Sequence, residues 1–434
     1  MRISVIGCGY LGAVHAACMA ELGHEVVGID VDERKVAELS AGRAPFFEPG
    51  LPEVLGRALD SGRLRFSTDL ADAAGAEVHF VAVGTPQTKG SHAADLTYVN
   101  AAVEGLLPHL ADGDLVVGKS TVPVGTASRL SELVRASSGA DLAWNPEFLR
   151  EGFAVKDTLT PDRFVYGVAR GETGERAAAQ LDAVYATALA AETPRLVTDY
   201  ATAELVKVSA NAFLATKISF INAMAEVAEA TGADVTQLAD AIGYDARIGR
   251  KFLNAGIGFG GGCLPKDIRA FQARADELGL DSLAFLADVD AINLRRRDRV
   301  VALAGELVGD IAGARVAVLG LAFKPNSDDI RDSPALDVAR RLRASGAIVT
   351  AFDPEANATA GRVAPELEYA TDVESALRDA DVVLVLTEWT EFRELDPVVV
   401  AGLVSHARVV DGRNTLDSVA WRAAGFDYRG LGRP

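Results

Sequence analysis

Six residues near the start constrain the fold more than any others. Gly7-Cys8-Gly9-Tyr10-Leu11-Gly12 follows a short apolar stretch, Arg2 to Ile6, and opens a helix-compatible run from about Leu11 to Leu22. Strand, glycine turn and helix in that order begin a βαβ unit. Gly7 permits the tight turn, Gly9 lets the backbone approach a ligand, and Gly12 lets helix and strand pack closely. A second strand, Glu25 to Asp30, follows Gly23 and ends on an acid 18 positions beyond Gly12. The helix N-terminus presents unpaired N–H groups to a pyrophosphate. The Asp30 carboxylate is placed to accept from ribose hydroxyls and to repel a 2′-phosphate. The unit therefore predicts NAD binding, preferred over NADP, although Arg34 and Lys35 weaken that preference slightly. Cys8 and Cys18 read as small packing residues.

The alternation continues. Apolar segments at Val78 to Val83, Leu115 to Lys119 and Asp141 to Trp144 are separated by helix-like stretches at Tyr98 to Leu110 and Thr126 to Ala136. That pattern predicts a parallel sheet covered on both faces. From Asp199 to about Ala230 the chain reads as one long helix without proline, and Asp234 to Ile242 and Asp281 to Leu307 read as helices too. Strands return at Arg315 to Gly320, Ile348 to Phe352, Asp381 to Leu386 and Arg408 to Asp411, with a helix at Ala335 to Ala344. At 434 residues the chain is too long for one ordinary core. The expectation is α/β: two doubly wound Rossmann-like domains, residues 1–195 and 309–434, joined by a central helical region, residues 196–308. The second lacks a full glycine fingerprint.

Composition narrows the class of function. A net charge of −18 opposes nucleic acid and anionic membranes, so an anionic substrate needs locally placed Lys and Arg. The run Arg295-Arg296-Arg297 accordingly reads as a solvated helix face. The 3 cysteines form neither a disulfide framework nor a metal motif, and the 6 histidines lack ligand spacing, so no metal is expected. His15 and His24 read as structural. The apolar N-terminus resembles a signal peptide only superficially, because its glycines suit a turn that a mature fold keeps. No apolar run reaches bilayer-spanning length, and the reading is a cytoplasmic protein.

The chemistry gathers at Cys263. Five glycines crowd positions 256–262 before it, a loop able to bring backbone amides close to a ligand. Pro265 reads as the first residue of a helix with Asp267 in its first turn. A thiol at a helix N-terminus beside Lys266 should have a lowered pKa and act as a nucleophile. On the long helix Glu204, Lys207 and Asn211 recur at spacings of three and four and share a face. Further candidates are loops after strands, where doubly wound sheets bind ligands: Gly84-Thr85-Pro86, Lys119 to Pro123, Asn145 to Gly152, Phe323-Lys324-Pro325, Asp329 to Pro334, and Asp411 to Asn414.

In their order along the chain these segments resemble the UDP-glucose/GDP-mannose dehydrogenase family. The match runs from the glycine fingerprint through Gly84-Thr85-Pro86, Ser120 to Pro123, Asn145 to Phe148, Glu204 to Asn211 and Gly258 to Asp267, and on to Phe323-Lys324 and Asp411-Gly412-Arg413. Gly262 departs from it, standing where many members carry serine. The resemblance implies a four-electron oxidation of a nucleotide sugar, UDP-glucose first of all, at its primary alcohol. Cys263 would be the nucleophile, and Lys207, helped by Asn211, would stabilise the oxyanion or assist proton removal. Asp267 would handle water or protons, Thr121 would hold a water, and Glu147 would be the base for thioester hydrolysis. NAD would lie against Gly7, Gly9, Tyr10, Leu11, Gly12, Asp30, Lys35, Thr85, Thr121, Glu151 and Arg331. Glu147, Phe148, Leu149, Glu151, Lys207, Asn211, Phe252, Asn254, Gly260, Lys324 and Arg413 would form the nucleotide-sugar site. Arg247 would reach a neighbouring subunit's substrate, which implies a homodimer built through the long helix. TDP-glucose, GDP-mannose or an N-acetylhexosamine nucleotide are the alternative substrates. A two-electron hydroxyacid dehydrogenase and a non-catalytic sensor are the rival classes.

Overall fold

The computed structural model describes residues 1–434. The chain divides into two compact units: Met1–Ala210 with Ala273–Leu280, and Asn211–Gln272 with Asp281–Pro434.

The first unit is built on eight strands: β1 (Arg2–Ile6), β2 (Glu25–Ile29), β3 (Leu64–Ser67), β4 (Val78–Val81), β5 (Leu115–Gly118), β6 (Asp141–Trp144), β7 (Phe164–Gly167) and β8 (Arg195–Thr198). Their order in the sheet is β3-β2-β1-β4-β5-β6-β7-β8. Order reverses between β1 and β4, the switch point at which such sheets bind ligands beyond their carboxyl ends. The central strands β4, β5 and β6 are buried along their whole length. Helices on both faces leave them no solvent side, so they read as continuous apolar runs. Tyr10–Glu21 covers one face with nine consecutive buried residues.

The expectation of a parallel sheet needs one correction. β7 pairs with β6 antiparallel at Trp144 and Gly167, and β8 runs parallel to β7. The link from Asn145 to Arg163 begins and ends at one edge of the sheet, so the returning strand must reverse. Periodicity in the sequence also left β3, β7 and β8 unassigned; β3 and β8 lack the continuous apolar, fully buried run of β4 to β6.

The second unit carries β9 (Arg315–Leu319), β10 (Ile348–Phe352), β11 (Glu368–Tyr369), β12 (Val382–Val385), β13 (Arg408–Asp411) and β14 (Asp427–Gly430). All pair in parallel, in the order β11-β10-β9-β12-β13-β14. The long helix spans Tyr200–Thr231, and the division between the units falls within it. Helix Phe285–Val308 carries the arginine run, where a second correction is due. Only Arg295 is solvated. Arg296 and Arg297 are 1% and 4% exposed. Arg296 pairs with Glu229 at 3.0 Å and Arg297 with Asp332 at 2.9 Å, because buried guanidinium groups must find carboxylates. No helix is long and apolar enough to cross a membrane.

Candidate active site

The glycine fingerprint sits between β1 and helix Tyr10–Glu21. Gly7 has φ +91°, and a β-carbon on Gly12 would lie 1.8 Å from the Gly7 carbonyl oxygen, so neither position tolerates a side chain. A β-carbon on Gly9 would meet nothing within 4 Å. Open space over a helix N-terminus is the room a pyrophosphate needs, and in this respect the site fits a dinucleotide. The Asp30 carboxylate accepts from the Cys8 N–H at 2.8 Å and holds the Lys35 ammonium at 2.8 Å. Lys35 is thereby directed to Asp30. Burial pushes the Cys8 and Cys18 thiols up to about 12, so neither is a nucleophile at neutral pH. The side chains of Tyr10 and Leu11 pack against the core. What these two residues offer a cofactor is their backbone at the helix start. Thr85 donates its hydroxyl to the Thr121 carbonyl at 2.9 Å, which ties the loop after β4 to the loop after β5.

A buried acid that the sequence reading passed over braces this cleft. Glu48, 2% exposed, accepts from the Tyr10 hydroxyl and from the N–H groups of Gly152 at 2.6 Å and Ala154 at 2.7 Å. It fixes the end of the segment that carries Glu147, Phe148, Leu149 and Glu151. Its only signal in sequence is an acid between two phenylalanines and a Pro-Gly turn.

Glu147 is held at two points. Its Oε1 accepts from the N–H groups of Phe148 and Leu149 at 2.8 and 3.1 Å, and Oε2 lies 3.0 Å from the Lys119 ammonium. Burial works to raise its carboxyl. The Lys119 charge and hydrogen bond, the Phe148 amide and the Lys207 charge together outweigh that, and hold it below the ordinary value. Lys119, 4% exposed, also donates to Asn145 Oδ1 at 3.1 Å and to the Tyr185 hydroxyl at 3.3 Å. The Lys207 ammonium lies 5.5 Å from the Phe148 ring centre, and the Arg163 guanidinium 4.1 Å from it. Glu204 diverges from Lys207 although they share a helix. It accepts from the N–H groups of Gly125 at 2.8 Å and Ala127 at 2.7 Å, which caps helix Thr126–Ser138 from outside.

In the second unit Cys263 is exposed and immediately precedes helix Leu264–Glu277. The helix begins one residue earlier than Pro265 suggested, which leaves the cysteine at the cap position with the helix dipole behind it. Asp267 is 2% exposed and sits in the first turn. It accepts from the Asn211 amide at 2.6 Å and from Lys266 at 2.6 Å. Three of the expected groups, Cys263, Asp267 and Asn211, therefore share one neighbourhood. The glycine loop explains its own composition. Gly258 and Gly261 have φ of +98° and +84°, and a β-carbon on Gly260 would lie 2.3 Å from the Asp332 carbonyl oxygen. At Gly262 a β-carbon would lie 2.4 Å from the Arg331 guanidinium carbon, so a serine there would displace Arg331. Arg331 in turn grips Asp329 through Nε and Nη2. Asn293, a residue with no sequence signal beyond helix membership, pins the loop by bonding both the N–H and the carbonyl of Phe259.

Arg413 braces three backbones, donating to the carbonyls of Leu386, Gly258 and Phe323 at 2.9, 2.8 and 3.0 Å. Lys324 lies 5.4 Å from the Phe323 ring centre. Asn254 accepts from Arg250 at 2.8 Å. Phe252 is 39% exposed at a positive φ of 66°. Arg247 stands apart from all of these. Its side chain is 89% exposed and paired only with nearby Asp245.

A mostly parallel doubly wound sheet with this fingerprint and an acid directly after β2 defines an NAD-binding oxidoreductase. Comparison with known proteins gives the family. The family models for the UDP-glucose/GDP-mannose dehydrogenase NAD binding domain, central domain and UDP binding domain match residues 1–189, 201–295 and 317–418. The UDP-glucose 6-dehydrogenase TuaD of Bacillus subtilis is 43% identical, covering 100% of this chain and 93% of its own. The UDP-glucose 6-dehydrogenase of Rhizobium meliloti is also 43% identical over 100% of both chains. Among solved structures, a UDP-glucose dehydrogenase from Pyrobaculum islandicum superposes with a TM-score of 0.91 at 41% identity, covering 100% of this chain and 98% of that one. The chain belongs to the UDP-glucose/GDP-mannose dehydrogenase family.

Proposed function

We propose that this chain oxidises C6 of UDP-glucose to the carboxylate, forming UDP-glucuronate with two NAD consumed and Cys263 as the covalent nucleophile. The observation that carries the reading is Cys263 at a helix N-terminus, one turn before the buried Asp267–Asn211 pair. The full-length relatives named for UDP-glucose support the choice of sugar.

Bound NAD supplies a hydride acceptor for each of the two oxidations. The residues that would hold it are Gly7, Gly9, Gly12, the backbone of Tyr10 and Leu11, Asp30, Lys35, Thr85, Thr121, Glu151 and Arg331. After the first oxidation the substrate is an aldehyde, and the Cys263 thiolate adds to it. The Lys207 ammonium and the Asn211 amide, one turn apart on the same helix, stabilise the resulting oxyanion. Asp267 keeps the Asn211 amide oriented. The second oxidation leaves a thioester. Thr121 positions water, and Glu147 takes a proton from it as it attacks. Phe148, Leu149, Glu151, Phe252, Asn254, Gly260, Lys324 and Arg413 hold the nucleotide sugar. Residues 1–195, 196–308 and 309–434 supply cofactor, catalytic and nucleotide-sugar functions in turn.

The working form is a cytoplasmic homodimer. Phe213, Phe220 and Val227 are 66%, 49% and 54% exposed and recur every seven residues along the long helix. A seven-residue repeat keeps one apolar stripe on one face, which suits a second copy of the helix. Arg247 is exposed enough to reach across to that copy's substrate.

Cys263→Ser tests the covalent scheme. Uronate formation should fall by at least about a thousandfold, as when a nucleophile is removed elsewhere. Undiminished turnover would sink the scheme.

A further inference from the structure

Behind the Asn145–Leu149 segment, wholly within the first unit, lies a cavity with about 30 Å³ of unfilled space. That is room for roughly two waters at ~10–15 Å³ each. Its walls run from His15, Lys119, Glu147 and Tyr185 past Thr158 to Asp162 and Arg163. Asp162 is exposed and marks the outer end.

Two side chains on these walls are buried without a protein partner. His15 is 1% exposed, yet neither ring nitrogen has a protein hydrogen bond, whereas His24 reaches the Val184 carbonyl at 3.0 Å. The Phe80 ring, 4.4 Å away edge-on, offers His15 no acceptor. Thr158 is 8% exposed, and its hydroxyl is likewise unpartnered. Buried polar groups in proteins are satisfied by protein or by ordered water. Two orphans facing one polar cavity point to water. Lys119 does not need it, since Glu147, Asn145 and Tyr185 already occupy its three protons. Glu147 retains lone pairs that can accept from it.

We propose that this cavity is a water-filled side entrance to Glu147, through which thioester hydrolysis draws its water and discharges a proton. The proposal rests on Glu147 acting as the hydrolytic base. In the step, the water oxygen bonds to the acyl carbon, and the C–S bond breaks with its electron pair going to sulfur. One water proton ends on the Cys263 thiol. The other passes through Glu147 to the cavity waters and out past Asp162. The Lys119 ion pair disfavours a protonated Glu147, so a nearby acceptor for that proton is required. His15 and Thr158 are positioning residues that hold the waters in file.

His15→Phe and Thr158→Leu replace the water-binding groups with apolar bulk, and His15→Gln retains both a donor and an acceptor. Rapid-quench kinetics with UDP-glucose and NAD should show a normal first burst of NADH in the two apolar variants. Their steady-state kcat should be at least roughly tenfold lower, within what general-base assistance contributes. KM for UDP-glucose should fall in step with kcat, leaving kcat/KM unchanged, because only a step after acyl transfer to Cys263 is slowed. Intact mass should reveal an acyl adduct accumulating on Cys263, and His15→Gln should recover most of the rate. Thr158→Val, a smaller change, serves if either bulky variant fails to fold. A high-resolution crystal structure of the unaltered protein should show ordered waters on His15 and Thr158. A dry cavity, wild-type turnover in folded variants, or an equal loss of burst and steady state would overturn the proposal. Failure of the functional reading is distinguishable: the unaltered protein would then give no burst at all, and the crystallographic waters alone would judge the cavity.

Discussion

Lys119 is a hub of the first unit's site. Its ammonium satisfies Glu147, Asn145 and the Tyr185 hydroxyl, and lies 5.7 and 5.8 Å from the Phe80 and Tyr185 ring centres. Removing one partner of a buried pair strands the other's charge, a loss of about 3–5 kcal/mol. Lys119→Met should therefore lose that much in urea unfolding, and the double variant with Glu147→Gln should lose less than the sum of the singles. A loss below ~1 kcal/mol would contradict this account of the pair. The pH dependence has a definite sign. The folded-state pKa of Glu147 is lowered, so its contribution to stability is complete above the unfolded value, near ~4.3, and disappears as pH falls through the lowered value. Glu147→Gln should accordingly flatten the decline of Tm below about pH 4. An acid limb as steep as in the unaltered protein would argue that Glu147 is not held ionised.

At the scale of elements, the fingerprint turn separates two roles that sequence alone assigns only as a set. Gly12→Ala drives a β-carbon to 1.8 Å from the Gly7 carbonyl oxygen, while Gly9→Ala meets nothing within 4 Å. The first should destabilise the unit by about 1–3 kcal/mol or more, as overpacking does. The second should leave Tm nearly unchanged yet weaken NAD binding by at least about tenfold, because the added methyl occupies space meant for pyrophosphate. If both variants behave alike in calorimetry and NAD titration, the distinction is wrong. The second sheet repeats the strand order without the cofactor turn. Its counterpart of Asp30, Asp353, is 1% exposed and consumed by the N–H groups of Leu321 and Ala322 and by the Trp389 indole. These contrasts show what was legible. The fingerprint, the long helix and the cysteine loop were readable because glycine placement and helical period report backbone geometry directly. The reversed β7, the Glu48 brace and the Lys119 hub were not. Each depends on which distant backbone or carboxylate a side chain meets, and local periodicity carries no record of that. The buried Arg296 and Arg297 were misjudged for the same reason, since their carboxylate partners come from Glu229 and Asp332.

For the whole molecule, a net charge of −18 leaves anionic ligands dependent on a few placed cations, and we propose Lys207, Lys324, Arg247 and Arg413 for that task. The apolar stripe on the long helix adds an expectation about assembly. Phe220→Glu should shift the sedimenting species from dimer to monomer, and an unchanged dimer would place the interface elsewhere. The central claim is four-electron oxidation of one sugar by one chain type, and its direct test is stoichiometry. Purified protein is given excess NAD and limiting UDP-glucose, NADH is counted by absorbance, and the product is identified by mass. The account predicts two NADH per UDP-glucose and UDP-glucuronate as the product. One NADH per sugar would leave a two-electron dehydrogenase, and none with UDP-glucose but two with TDP-glucose or GDP-mannose would keep the chemistry and overturn the substrate.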